Sequence, residues 1–241
     1  MLLMQVLSAE AAKFKVVYNF RGGNDGAQPQ SDLIAIGKKL YGTTVEGGSS
    51  NAGTLFSLNP KTGVETVLHS FGSAGDGAYP MAAVVRVGSQ IYGTTVSGGN
   101  TDYGSVYSYD LRNGAEKVVY SFQSGEADGD TPQASLIEMG GMLYGTTYTG
   151  GSSSGCNFGC GTIYSIDPET NLEKVVHLFQ TNDGVNPNAA LTKAGGKLYG
   201  TTTEGGDGNC GTAFVFDPAT KVLSVVHEFD HQVMAQRRFP A

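Results

Sequence analysis

The sequence predicts an all-β protein, a β-propeller made of four-stranded antiparallel blades. Three observations carry that prediction. Tyr-Gly-Thr-Thr occurs four times, beginning at Tyr41, Tyr92, Tyr144 and Tyr199. Around each copy the same order recurs: Asp-Gly, Pro, an apolar run, the tetrapeptide, Gly-Gly, Gly-Thr or Gly-Ser, and a Val-rich stretch ending in Phe. The composition is that of a turn-rich β chain, with 36 glycines, no tryptophan and only 15% charged residues in 241. A recurrence of roughly 50 residues marks one supersecondary unit repeated, because a single unit cannot bury its apolar face alone. Solenoid repeats are shorter, and the 3.6-residue periodicity of helical repeats is absent, which leaves the propeller blade.

The elements are clearest in the unit from Asp128 to Phe179. Ala134 to Met139 is a short apolar strand, and Gly140-Gly141 turns it into a second, Met142 to Thr149. A loop rich in glycine and serine runs from Gly150 to Gly159. Gly161 to Ile166 alternates small or polar with apolar residues, as a two-faced third strand should. Asp167-Pro168-Glu169-Thr170-Asn171 is a turn with Pro pre-set for its corner, and Leu172 to Phe179 is the fourth strand. Asn59-Pro60-Lys61-Thr62-Gly63 and Asp217-Pro218-Ala219-Thr220 are the matching turns. The threonine pairs beginning at Thr43, Thr94, Thr146 and Thr201 are expected to bond across the blade, with the tyrosines packing between blades.

The fourth strand occurs once more than the others, at Val16-Val17-Tyr18-Asn19-Phe20. Four full repeats and a surplus N-terminal strand imply a four- or five-bladed ring. The surplus strand, an incomplete fifth blade or a second chain in a homo-oligomer would seal it, since open edges invite aggregation. The propeller then spans residues 13–230 as one domain. Residues 1–12, with Leu2, Leu3, Met4, Val6 and Leu7, look like a leader or the remnant of a signal. Residues 231–241 belong to no repeat.

The Leu-Tyr-Gly-Thr-Thr, Gly-Gly, Gly-Thr-x-Phe and Asp-Gly-x-x-Pro text resembles the GloVer-type (choice-of-anchor) tandem-repeat proteins, from Val16 to Phe229. The resemblance implies a propeller-like, often extracellular or periplasmic bacterial protein with no settled activity. It also implies longer arrays and a C-terminal sorting anchor, a pattern that this sequence does not show.

Charge excludes some partners. The net charge is −7 and no basic stripe exists to neutralise phosphates, which argues against nucleic acid. No apolar run approaches a membrane span.

The strongest chemical candidates are the aspartates of the Asp-Gly dipeptides, Asp25, Asp76, Asp128 and Asp183, with Asp130 beside Asp128. Propeller topology puts these loops at one mouth of the channel, next to the Gly-Gly loops. A ring of carboxylates and carbonyls would suit Ca²⁺, which takes six to eight oxygen ligands. Asp-Gly is equally a preferred tight turn, and its presence in every repeat favours structure. His69, His177 and His227 share one position of the fourth strand with Tyr18 and Tyr120, which marks a packing site. The Gly151 to Gly155 match to a nucleophile elbow lacks a following helix and is taken as chance. Cys156, Cys160 and Cys210 allow a disulfide either between Cys156 and Cys160 or between Cys160 and Cys210, leaving one thiol over.

The resulting expectation is a secreted or periplasmic Ca²⁺-dependent hydrolase of a small lactone or ester, acting at the channel mouth. The alternatives are a non-catalytic module binding a glycan or protein, and a structural repeat of a surface protein.

Overall fold

The computed structural model describes residues 14–151 and 155–230. The expected leader, the C-terminal tail and the serines of the Gly151 to Gly155 match therefore lie outside the described residues.

Four antiparallel sheets of four strands follow one another along the chain, each in strand order 1-2-3-4. The first blade comprises Ile34–Ile36, Lys39–Thr44, Thr54–Leu58 and Glu65–Ser70. The second comprises Val85–Val87, Gln90–Thr95, Ser105–Asp110 and Glu116–Ser121. The third comprises Ile137–Met139, Met142–Thr147, Thr162–Ile166 and Glu173–Leu178. The fourth comprises Thr192–Ala194, Lys197–Thr201, Thr212–Asp217 and Val222–Glu228. The all-β, propeller-like architecture expected from the repeats is what the chain adopts.

The core lies between blades. One buried cluster joins the first two blades through Leu55, Phe71, Val84 and Tyr107. A second joins blades two and three through Tyr92, Phe122, Leu143 and Tyr164, and a third joins blades three and four through Ile163, Phe179, Leu198 and Phe214. Edge-to-face ring pairs mark each seam: Phe71 on Tyr107, Phe122 on Tyr164 and Phe179 on Phe214, with centroids 4.8 to 5.2 Å apart. Such pairs add to plain area burial.

The tetrapeptide serves this packing. Its second threonine bonds across the blade, Thr44 to Thr54, Thr95 to Ser105, Thr147 to Thr162 and Thr202 to Thr212. Its first threonine reaches the next blade, Thr43 donating to the Ala82 carbonyl and Thr94 to that of Ala134.

The surplus segment differs from the expectation. Val16 to Phe20 joins no sheet among the described residues. Its side chains nonetheless take fourth-strand places, with Phe20 against Phe56 and Tyr18 against Phe20.

Candidate functional site

Each Asp-Gly dipeptide leads into a blade and lies against the Gly-Gly loop of its own repeat. Gly77 pairs with Gly98 and Gly129 with Gly150, while single bridges join Ala27 to Glu46 and Val185 to Glu204. The acidic and glycine-rich loops are thus brought together blade by blade.

The aspartates point back toward the preceding fourth strand. His69 Nε2 lies 2.9 Å from Asp76 Oδ2, and His177 Nε2 lies 3.1 Å from Asp183 Oδ2. The hydroxyls of Tyr18 and Tyr120 donate to Asp25 and Asp128. Backbone N–H groups also donate to these carboxylates: Arg21 to Asp25, Gly77 to Asp76, Gln123 and Gly129 to Asp128, and Gln180 to Asp183. Asp130 stands apart and accepts from Ser124 and Thr131. Among the described residues these five carboxylates do not gather into one set.

A β-bulge makes the aspartate–ring contact feasible. In every blade the pairing of third and fourth strands slips one residue just before the His/Tyr position, so that His69 faces Leu55 and His177 faces Ile163. Bulges re-aim side chains in this way.

A second carboxylate stands beside three of these aspartate–ring pairs. Glu65, Glu116 and Glu173 open the fourth strands of their blades, and each has one buried oxygen with no hydrogen-bond partner. Glu116 Oε2 lies 3.7 Å from His69 Nε2. Desolvation, reinforced by Asp25, pushes Glu65 from its ordinary 4.5 to about 7. Desolvation likewise pushes Glu116 to about 7, with His69 opposing and Asp76 reinforcing. Glu173 reaches about 7 through desolvation and Asp128, against a bond from Tyr120. For His69 desolvation acts downward, but Asp76 and Glu116 together outweigh it and the net shift is upward. The bond to Asp25, followed by desolvation, holds the Tyr18 phenol up at about 12. Among the described residues, one group has three donors close enough to share an ion: His69, Asp76 and Glu116, all within 4.8 Å of one another.

Sequence reasoning placed the aspartates and missed the glutamates. Glu-x-Val-x-His/Tyr recurs at Glu65, Glu116 and Glu173, and that spacing was the available signal. The structure also chooses between the cysteine pairings. Cys156 is bonded to Cys160, with Cα atoms 5.3 Å apart, and Cys210 is free, donating to the Gly208 carbonyl. The pair clips the Gly-Ser loop of the third blade.

Among the described residues, the first and fourth blades each expose a surface that is covered at the blades between them. Tyr41, Tyr92 and Tyr144 are 4 to 9% exposed, whereas Tyr199 is 39% exposed. Ala82 and Ala134 are buried, but their counterpart Ala189 is not. At the other end, Val84, Leu136 and Leu191 are 3 to 5% exposed and their counterpart Leu33 is 45% exposed.

Two solved structures are similar in fold. TolB from Acinetobacter baumannii is 19% identical with a TM-score of 0.50, the match covering 78% of this chain and 40% of that one. The extracellular domain of a hybrid two-component system from B. thetaiotaomicron is 16% identical with a TM-score of 0.56, covering 88% of this chain and 24% of that one. The chain thus spans well under half of either structure's length, and the likeness is one of fold. No curated protein matches it in sequence. No helix among the described residues is long and apolar enough to cross a membrane. The Gloeobacter/Verrucomicrobia repeat model matches residues 3–158 and 150–240, so that it takes in both the Asp-Gly seams and the Tyr-Gly-Thr-Thr strands, and the chain belongs to that repeat family.

Proposed function

We propose that the chain is a non-catalytic repeat module whose function is homotypic assembly, blade against blade, with a second copy of itself. One observation carries the proposal: the face presented by the fourth blade and the face presented by the first are the two halves of a seam that the chain already builds three times. Tyr199, Thr201 and Val226 are exposed on the former and Leu33 on the latter. Covering one such side chain fully contributes roughly 1.5–3 kcal/mol. A head-to-tail contact is heterologous, so two copies of four blades close into a ring of eight, within the range propellers use.

Docking has one steric condition. Val16 to Phe20 occupies the fourth-strand place on the first blade, so the partner's Val225-Val226-His227-Glu228-Phe229 must displace Val16-Val17-Tyr18-Asn19-Phe20, like for like. Val16 and Val17 are already 52% and 37% exposed, and the segment belongs to no sheet, which makes it the weaker holder of that place. Sedimentation velocity tests the proposal. The full chain should self-associate with rising concentration, Tyr199→Glu should be monomeric, and removal of residues 1–20 should strengthen association. A full chain that stays monomeric, together with a shortened chain that does the same, would refute it.

The expected calcium-dependent ester hydrolysis has less support than assembly. Asp25, Asp76, Asp128, Asp130 and Asp183 are each engaged within their own stretch of chain and so do not supply together the six to eight oxygens that calcium takes. The Cys156–Cys160 bond supports a secreted or periplasmic setting, where disulfides persist.

A further inference from the structure

We infer that His69, Asp76 and Glu116 form a binding site for one divalent transition-metal ion, with Zn²⁺ as the best fit, at the seam between the first and second blades. The donor atoms lie close enough together to share one ion. His69 Nε2 is 2.9 Å from Asp76 Oδ2 and 3.7 Å from Glu116 Oε2, and all three groups fall within 4.8 Å. Zinc bonds nitrogen and carboxylate oxygen at roughly 2.0–2.2 Å in a tetrahedron, which sets neighbouring ligand atoms at about this separation. One imidazole and two carboxylates also balance the charge of a divalent cation, and imidazole favours zinc over calcium or magnesium.

The groups around these donors hold them in place. The second oxygen of Asp76 accepts from the Gly77 N–H at 2.7 Å, which fixes the carboxylate. The His69 ring is held edge-on against Phe71. Two polar groups at the seam are buried and unpartnered. One is Glu116 Oε1; the other is the hydroxyl of the fully buried Tyr107, which feels the charges of both Glu116 and Asp76. The imidazole side chain is 22% exposed, so a fourth ligand position opens to water.

The other seams are natural controls. At two of them the imidazole is replaced by a phenol, giving Tyr18 with Asp25 and Glu65, and Tyr120 with Asp128 and Glu173. A phenol donates its proton to the aspartate and offers no free nitrogen lone pair. At the last seam His177 and Asp183 are paired, but Leu223 stands at the glutamate position. Among the described residues, only the seam between the first and second blades combines all three donors.

Isothermal titration of the full chain with Zn²⁺ tests the assignment. The expected result is one tight site per chain. His69→Tyr, which copies the Tyr120 seam, should abolish it, and Glu116→Gln should weaken it by at least about tenfold. His177→Tyr should leave it unchanged. Thermal melts of each variant without metal confirm that the comparison is between folded proteins, and Glu116→Gln serves if His69→Tyr melts early. Absence of a tight site overturns the assignment, as does a site that survives both His69→Tyr and Glu116→Gln.

Discussion

The glycine of Tyr-Gly-Thr-Thr is there for space and has no backbone conformation to satisfy. Gly42, Gly93, Gly145 and Gly200 lack the positive φ that marks so many other glycines in this chain. A Cβ on Gly93 would run into the ring and hydroxyl of Tyr107, and one on Gly145 into Tyr164 and Leu136. Gly42 and Gly200 face Phe56 and Phe214 in the same way. The aromatic of the third strand therefore lies across the glycine of the second, and its far side receives the Phe of the preceding blade. Gly93→Ala should cost about 1–3 kcal/mol by overpacking, read from urea unfolding. Alanine has the higher strand and unfolded-state benefit, so an unchanged or stabilised variant would show that the ring can move aside. The tetrapeptide itself was plain in the sequence. Its reason was not, because the partner ring lies in a different strand and only the pairing register brings the two together.

At the scale of the strand, the bulge and the glutamate that opens each fourth strand decide what the seam is. Regular pairing would place Leu68 opposite Leu55 and carry His69 on to Thr54; the slip sets His69 opposite Leu55 instead. Sequence showed a position alternating between His and Tyr and read as a packing site, while the bond to the next repeat's aspartate depends on a slip that no residue type announces. The aspartates were legible as turn formers and remain so. Their convergence on a shared calcium ring was an inference from topology, and each is occupied locally. The glutamates give the seams a pH dependence. Glu65, Glu116 and Glu173 have folded values near 7 against an ordinary 4.5, so the fold favours their neutral forms. That stabilisation is fully present below about pH 4.5 and is lost as pH rises through about 7. Facing them are Asp25 and Tyr18, Asp76, His69 and Tyr107, and Asp128, Tyr120 and Tyr164. The raised value of His69 acts with the same sign. In metal-free buffer the melting temperature should therefore be higher at pH 5 than at pH 8. Replacing all three glutamates by Gln should flatten the difference, and an unaltered slope in that variant would assign the pH dependence elsewhere.

The whole molecule is a stack in which every blade depends on its neighbours, and stability in such arrays approximates a sum of unit and interface contributions. The period made the stack legible from sequence, including the extra fourth-strand copy at Val16 to Phe20. What covers the end faces was not legible, because Tyr199 and Leu33 belong to the same repeated text as their buried counterparts and differ only in having no adjoining blade among the described residues. That difference predicts a gradient of local stability. The second blade has a seam on both sides, whereas the fourth blade's first strand is exposed throughout and its fourth strand nearly so. Backbone amides of Thr192–Ala194 and Val222–Glu228 should exchange with solvent sooner than those of Val85–Val87 and Glu116–Ser121, because local opening of the fourth blade breaks one seam and that of the second breaks two. Measured in the Tyr199→Glu monomer, this contrast reports the isolated stack. Measured on the native chain at rising concentration, protection should climb in Val222–Glu228 while that of Glu116–Ser121 stays level, and Val16 to Phe20 should lose what protection it has as it is displaced. Equal exchange in the two blades of the monomer would show that the stack opens as one unit. Protection that rises with concentration in the second blade rather than the fourth would move the contact away from Tyr199 and refute head-to-tail assembly.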